Sequence, residues 1–402
     1  MVRIMPRRKN EKTLKGQHVS ALSSFDKSGQ QRDYIENLKK MPKQYAENMV
    51  QAGIDVNEKS RSGTYIQMDH SVVHSKSLYQ GLEVFPISEA LKRYSWLKDY
   101  YWKNIQQNKD EFTKKADTDS GNGYFLRALP GVKTRYPLQA CLFMDKNNQL
   151  QNVHNIIIAE EGSDLEIITG CAASSSAKKG MHIGISEFYV KKNARITFTM
   201  IHNWSENLIV RPRSYTVVED GGTFISNYIC IKKVKDIQMY PTCELSGKNA
   251  VARFNSILFA MPGSSMDIGS RVLLNAKNSK AEIISRAVSA GGNIIARGHL
   301  RSETPNVKGH LECRGLMLND KGLIHAVPEL QAHAKGVDLS HEAAVGKIAK
   351  DEIEYLMSRG LSEYEAQASI VRGFLDTKIM NLPDQLQKSV DTAILKCKKD
   401  SF

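Results

Sequence analysis

Cys313 stands in Leu-Glu-Cys-Arg-Gly-Leu-Met-Leu, and the later segment Ser-His-Glu-Ala-Ala-Val-Gly carries His341 and Glu342. A soft thiolate, an imidazole and a carboxylate can together hold iron or sulfide. A lone cysteine on a strand is more often a small core hydrophobe. The local chemistry argues the other way, because His310, Glu312 and Arg314 crowd the same segment and a neighbouring Arg or His makes a thiol more acidic. His341 and Glu342 are adjacent, so a regular strand points them to opposite faces; both reach one site only if the chain bends there. Cys171, in Ile-Thr-Gly-Cys-Ala-Ala, reads either as a sulfur-handling thiol or as a buried strand end. Cys243, in Tyr-Pro-Thr-Cys-Glu-Leu, is equally ambiguous, and His325 and His333 read as polar surface residues.

The elements that must position these groups change along the chain. From about residue 123 to 329, short apolar runs alternate with small turn clusters centred near Gly162, Asn193, Gly222, Lys248, Gly263, Asn278, Gly292 and Lys321. These centres recur at about 30 and then about 15 residues, with no helices between, which is the pattern of a stacked solenoid. A β-sandwich competes, since its strands are also closely spaced, but the regularity after residue 245 favours a β-helix over residues 123–338. His341 follows Cys313 by 28 residues. A coil near 30 residues returns it to the same side of the solenoid.

Residues 1–115 form a basic, partly helical N-terminal region. Its clearest predicted helix runs from Ser88 towards Gln107, where Leu91, Tyr94, Leu97 and Tyr101 make a packing face. Lys114 to Gly123 reads as a linker. Residues 340–402 form a C-terminal helical region. There Asp351–Arg359 precedes Gly360, a suitable cap, and Ser362 with Glu365 forms a capping box for the next helix. Ile353, Leu356 and Met357 supply one apolar face, and Ala366, Ile370 and Phe374 another. Two helices around a Gly turn invite a DNA-binding reading. Residues 363–375 carry one Arg against two Glu, however, so a docking surface for a protein partner fits better.

The chain has 402 residues, 41% of them hydrophobic, enough to bury a substantial core. Its net charge of +13 is concentrated at the start, where the first fifty residues hold eleven Lys/Arg, Arg7, Arg8, Lys9, Lys12 and Lys15 among them, against five acids. Such an arm can bind nucleic acid, but a solvated tail is the simpler reading, and nucleic acid is not the expected partner. The six cysteines are widely spaced and form no CxxC, unlike a disulfide-stapled secreted domain. No apolar run approaches the roughly 18 residues of a membrane span, and the N-terminus lacks a signal-peptide core. A reduced, soluble, cytoplasmic protein is expected. There is no GxxxxGK[ST] loop, HExxH, paired CxxC or GxSxG elbow, so any nucleotide energy must come from a partner. A β-helix enzyme acting on polysaccharide is a rival reading, but the repeat region is poor in aromatics and in obvious acidic clusters.

Over residues 122–380 the chain resembles the SufB/SufD family of iron–sulfur cluster assembly scaffolds. The resemblance rests on Ala-Leu-Pro-Gly-Val at 128–132, Glu-Gly-Ser-Asp-Leu-Glu-Ile-Ile-Thr-Gly-Cys at 161–171, Val-Lys-Lys-Asn-Ala at 190–194 and His-Asn-Trp at 202–204. It continues through Tyr-Pro-Thr-Cys at 240–243, Glu-Cys-Arg-Gly-Leu-Met-Leu at 312–318, Ser-His-Glu-Ala at 340–343 and Leu-Met-Ser-Arg-Gly-Leu-Ser-Glu at 356–363. It implies a mainly β protein, a right-handed parallel β-helix flanked by N-terminal and C-terminal α-helical regions. It further implies a scaffold rather than an enzyme, with a SufC-type ABC ATPase docked through Ile353, Leu356, Met357, Ile370 and Phe374. A second SufB/SufD-type copy would complete the interface at which a transient iron–sulfur cluster is built. Cys313 matches the SufB cluster-site cysteine, His341 the interface histidine of both branches, Glu342 the SufB glutamate beside it, and Cys171 a persulfide entry point. The short N-terminal region without a Cys-rich motif is closer to SufD, whereas Cys313 is a SufB trait; a homodimer serving both roles would reconcile the two.

Overall fold

The computed structural model describes residues 22, 25–26, 31–118 and 121–375. The basic positions from Arg7 to Lys15, the end of the C-terminal region and Cys397 lie outside the described residues. The chain is a parallel β-helix of about eight turns with helices towards both ends. Ten strands make one wall. Its parallel rungs are Leu138–Met144, Asp164–Ala173, Arg195–Asn203, Thr223–Cys230, Val251–Ala260, Lys280–Ser289, Lys308–Met317 and Asp338–Lys347. Thr223 pairs with Val251, Val251 with Lys280, Lys280 with Lys308 and Lys308 with Asp338, steps of 28, 29, 28 and 30 residues. The expected coil length is therefore met.

Alternation builds the core. Along Ser265–Leu274 every second residue is buried, because successive side chains of a strand face opposite sides. The inward set forms one continuous cluster from Tyr65 to Ile324, and each fully buried Ile or Leu contributes about 1.5–3 kcal/mol. The turns depend on left-handed backbone. Gly162, Asn193, Gly263 and Asn278 have positive φ, as do Gly221, Asn249, Gly291 and Gly322, each beside a turn centre expected from sequence. Gly adopts this conformation freely, and Asn and Asp more readily than other side-chain-bearing residues. In the second wall two rungs are split. Asn207–Val210 and Arg213–Val218 both pair with Lys179–Val190, while Asp236–Met239 and Thr242–Leu245 both pair with Ser265–Leu274. Each gap holds a proline, Pro212 or Pro241, which has no N–H for the ladder.

β-Structure begins earlier than the sequence reading placed it. Gly63–Met68 and Ser71–Ser77 form an antiparallel hairpin, and Gly63–Met68 also pairs in parallel with Leu138–Met144. Asp69, at φ 53°, makes the turn possible. The predicted helix from Ser88 to Gln107 is broken into an α-helix, Ile87–Arg93, and a 3₁₀ turn, Ser95–Asp99. Tyr94 between them is extended, its hydroxyl donating to Glu83 at 2.6 Å. Its ring packs against Phe125, so core contact overrides helical continuity. The stripe Leu91, Tyr94, Leu97 and Tyr101 does pack on the solenoid, beside Phe125 and Ile156.

The supposed linker is largely helical. Residues Glu111–Thr118 form a helix capped by Asp110, whose carboxylate accepts from the N–H groups of Phe112 and Thr113. At the other end, the last rung runs through Lys347 and helices begin only at Lys350, so His341 and Glu342 belong to the solenoid. Gly360 (φ 94°) ends the helix Lys350–Ser358. The capping box forms, with Ser362 N–H donating to Glu365 at 2.8 Å and Glu365 N–H donating to Ser362 Oγ at 3.3 Å. Among the described residues no helix is long and apolar enough to cross a membrane.

Candidate functional site

Strand parity determines which groups meet. On Lys308–Met317, Leu311 and Cys313 face the lumen, while His310, Glu312 and Arg314 face outward. Cys313 is 2% exposed, and burial pushes its thiol pKa up to about 11. In register, Cys313 lies opposite Ser285 on one side and Ala343 on the other, and His341 lies opposite Leu311. His341 therefore shares the lumenal parity of Cys313, one rung on and two residues displaced, about 8 Å between Cα atoms for ordinary strand spacing. His341 is exposed, and among the described residues no further rung covers it. The thiol is enclosed by its own subunit, but only the last rung separates it from the open end.

Glu342 is not brought to this pair. The register of Asp338–Lys347 runs unbroken over ten residues, so no bend turns it inward. It lies opposite Glu312 on the outer face and is ion-paired with Arg314 at 3.2 Å. His325 and His333 are exposed, as expected. Cys243 is a lumenal core residue, its thiol pKa raised by burial.

Cys171 is also lumenal and buried, and burial raises its pKa strongly. Gly170 beside it is required by a close approach, since a Cβ there would stand 2.6 Å from the carbonyl oxygen of Ala52. Cys171 and Cys230 lie opposite His202 on its two sides. His202 Nδ1 is 2.8 Å from the hydroxyl of Tyr228, and Trp204 packs against both His202 and His182. Burial lowers both imidazole pKa values to about 3, with His182 itself adding to the effect on His202, so both are neutral near pH 7. Here the sequence reading missed His202 and Tyr228.

A single register column links this region to Cys313. Met200 pairs with Tyr228, Tyr228 with Ser256, Ser256 with Ser285 and Ser285 with Cys313. Ser256 Oγ donates to Ser285 Oγ at 3.1 Å. Met200, Tyr228, Ser256 and Ser285 line an internal cavity of about 60 Å³, with Pro212 and Pro241 at the strand breaks of the opposite wall. That space admits a few waters. Once the coil length is known, residues 228, 256, 285 and 313 are legible as one file.

The expected docking residues divide. Ile353 and Leu356 are half-buried and Met357 is exposed on Lys350–Ser358, a helix with no buried residue. Val371 and Leu375 of helix Glu363–Leu375 are buried on the outer face of the ten-stranded wall, and Phe374 packs with them. Ile370 is half-buried. Phe374 thus belongs to packing within the subunit.

A family model described as "SUF system FeS cluster assembly, SufBD core domain" matches residues 142–374. A protein of Archaeoglobus fulgidus named as an iron-sulfur cluster assembly SufBD family protein is 52% identical over 354 residues, 88% of this chain and 95% of that protein. A similarly named protein of Methanothermobacter thermautotrophicus (strain Winter) is 46% identical over 384 residues, 94% of this chain and 93% of its own length. One from Pyrococcus horikoshii is 28% identical over 371 residues, 90% of this chain and 83% of that protein. With more than half its length inside the family core and this identity running nearly end to end, the chain belongs to the SufBD family of iron–sulfur cluster assembly proteins.

Proposed function

We propose that this chain is the scaffold subunit of a SufBCD-type complex and builds a transient iron–sulfur cluster at Cys313 and His341. The observation that carries this reading is the placement of a buried thiol and an exposed imidazole on the lumenal side of the last two rungs. Sulfur enters as a persulfide at Cys171, and because Cys313 is out of its reach a small thiol carries it onward. The carrier's thiolate takes the outer sulfur and releases the Cys171 thiolate, and the Cys313 thiolate then takes that sulfur and releases the carrier. The polar file through Tyr228, Ser256 and Ser285, with its cavity, lies between the two cysteines, neither of which lines it. The two cysteines are five rungs apart, about 24 Å at ordinary strand spacing, too far for direct attack of one sulfur on the other.

A second scaffold copy covers the open end. Among the described residues Asp338–Lys347 and Leu323–Ala332 are each paired on one side only, and Val345 and Leu323 are 45% and 53% exposed. Unpaired strand edges bearing apolar side chains invite association. A homodimer places two copies of Cys313 and His341 near one seam. Energy comes from a SufC-type ABC ATPase docked on Lys350–Ser358, and its motion opens the seam. Few ligands of mixed softness suit a cluster that must later leave.

Anaerobic reconstitution with iron and sulfide tests the reading. Cys313→Ser is expected to lose bound iron and acid-labile sulfide together, whereas unchanged contents would remove Cys313 from the mechanism.

A further inference from the structure

The outer face of the same rungs carries a second set of donors. His310 and Glu312 are two residues apart on one strand and so share a face, and Glu342 lies directly opposite Glu312. One ligand atom from each of His310, Glu312 and Glu342 lies within 4.8 Å of the other two. His310 Nδ1 is 2.9 Å from Ser340 Oγ. With Nδ1–H donating to that hydroxyl, Nε2 keeps its lone pair, the arrangement by which ligating histidines are commonly oriented.

A cation already sits among these groups. Like charges directly opposite one another are unfavourable, and the Arg314 guanidinium bridges both carboxylates, 3.1 Å from Glu312 and 3.2 Å from Glu342. Arg286 pairs with Glu312 from the neighbouring rung. Arg314 is substantially exposed, and its pair with the exposed Glu342 contributes only about 0–1 kcal/mol, whereas Glu312 is more enclosed and keeps Arg286 as a partner when Arg314 leaves. Glu282, beside His310 in register, is engaged by Arg253.

We infer that His310, Glu312 and Glu342 form a divalent metal site on the outer face of the solenoid, for which Arg314 is the exchangeable placeholder. One imidazole and two carboxylates suit ferrous iron, Mn²⁺, Co²⁺ or Zn²⁺ and are a poor match for soft monovalent copper. Three ligands on one side leave the other positions to water, so the ion binds reversibly. The choice of ferrous iron as the physiological ion rests on the scaffold reading; the existence of the site does not. It gives Glu342 a role on its own face of the sheet, which separates Cys313 from it.

Titration of the full-length apo-protein with Co²⁺, followed by visible absorption, tests this. The wild type is expected to bind with weak d–d bands and no thiolate-to-cobalt charge transfer, and Cys313→Ser should leave that signal intact. His310→Ala and Glu312→Gln should each weaken binding at least about tenfold, in line with the losses seen when metal-site residues are altered. Arg314→Ala should tighten it by removing the competitor, a gain that a misfolded variant could not produce. The inference is overturned if His310→Ala and Arg314→Ala both bind Co²⁺ like the wild type, or if the signal is a thiolate band that vanishes with Cys313→Ser. That last result would still leave the cluster reading at Cys313 standing.

Discussion

The imidazole of His202 illustrates how a single residue here is governed by burial. Its pKa of about 3 lies below the ordinary 6.5. The unfolded chain therefore takes up a proton as pH falls through 6.5, and the folded chain does not until near 3. Stability from this group is present above pH 6.5 and drains away between 6.5 and 3. His202→Gln keeps an acceptor for Tyr228, so its unfolding midpoint should fall less steeply with pH over that window; an unchanged slope would show that His202 does not govern it. Cys313 runs in the opposite sense. With a pKa near 11 its thiol is protonated at neutral pH, and the stability tied to it is lost only as pH rises from about 9 to 11. Alkylation of Cys313 by iodoacetamide at pH 8 should be much slower than that of a free thiol, whose thiolate is the attacking species. Comparable rates, read by peptide mass mapping, would contradict the enclosure described here.

At the scale of elements, the C-terminal helices separate two kinds of apolar contact. Glu363–Leu375 is held to the solenoid by Val371 and Leu375, and its start is closed by Ser362. Loss of such a cap typically costs about 1 kcal/mol. Ser362→Ala should therefore raise amide exchange across residues 363–375 about fivefold, leaving the rungs at residues 251–317 unchanged. Exchange that rises equally in both regions would mean that the helix and solenoid unfold as one unit. The neighbouring helix Lys350–Ser358 has no fully buried residue, with Ile353 and Leu356 half-buried and Met357 exposed. The proposed docking surface therefore rests on Ile353, Leu356 and Met357, whereas Phe374 packs on the solenoid.

For the whole molecule, the decisive feature is an unfinished end. Each coil covers the one before it, and among the described residues no rung stacks on the last. Val345→Glu places a charge among apolar residues at that end, so self-association should weaken markedly, as measured by native mass spectrometry or sedimentation. A variant that self-associates as the wild type does would show that the open end is not the proposed dimer seam. With the ATPase present, two scaffold copies per complex are expected; one copy beside a different scaffold would exclude the homodimer.

Much of this was legible in the chain itself. Turn-forming Gly and Asn at regular spacing announced the coil, because only residues tolerant of left-handed backbone can close so many tight corners. The coil length then brought Cys313 and His341 to one side. Three strands before residue 87, Gly63–Met68, Ser71–Ser77 and Leu82–Pro86, were missed, although Thr-Tyr-Ile-Gln-Met and Ser-Val-Val-His-Ser around Asp69 carry a hairpin signal. The helix over residues 88–107 was overdrawn, because nothing local to Tyr94 reveals that Glu83 and Phe125 will claim it. The separation of Glu342 from His341 depended on whether the last strand bends, and a short sequence is compatible with either outcome. Ladder pairing along the whole of Lys308–Met317 held that strand straight, since a bend would forfeit backbone hydrogen bonds across the rung. Local order along a chain announces spacing; which face a side chain meets is settled by the neighbours that pair with it.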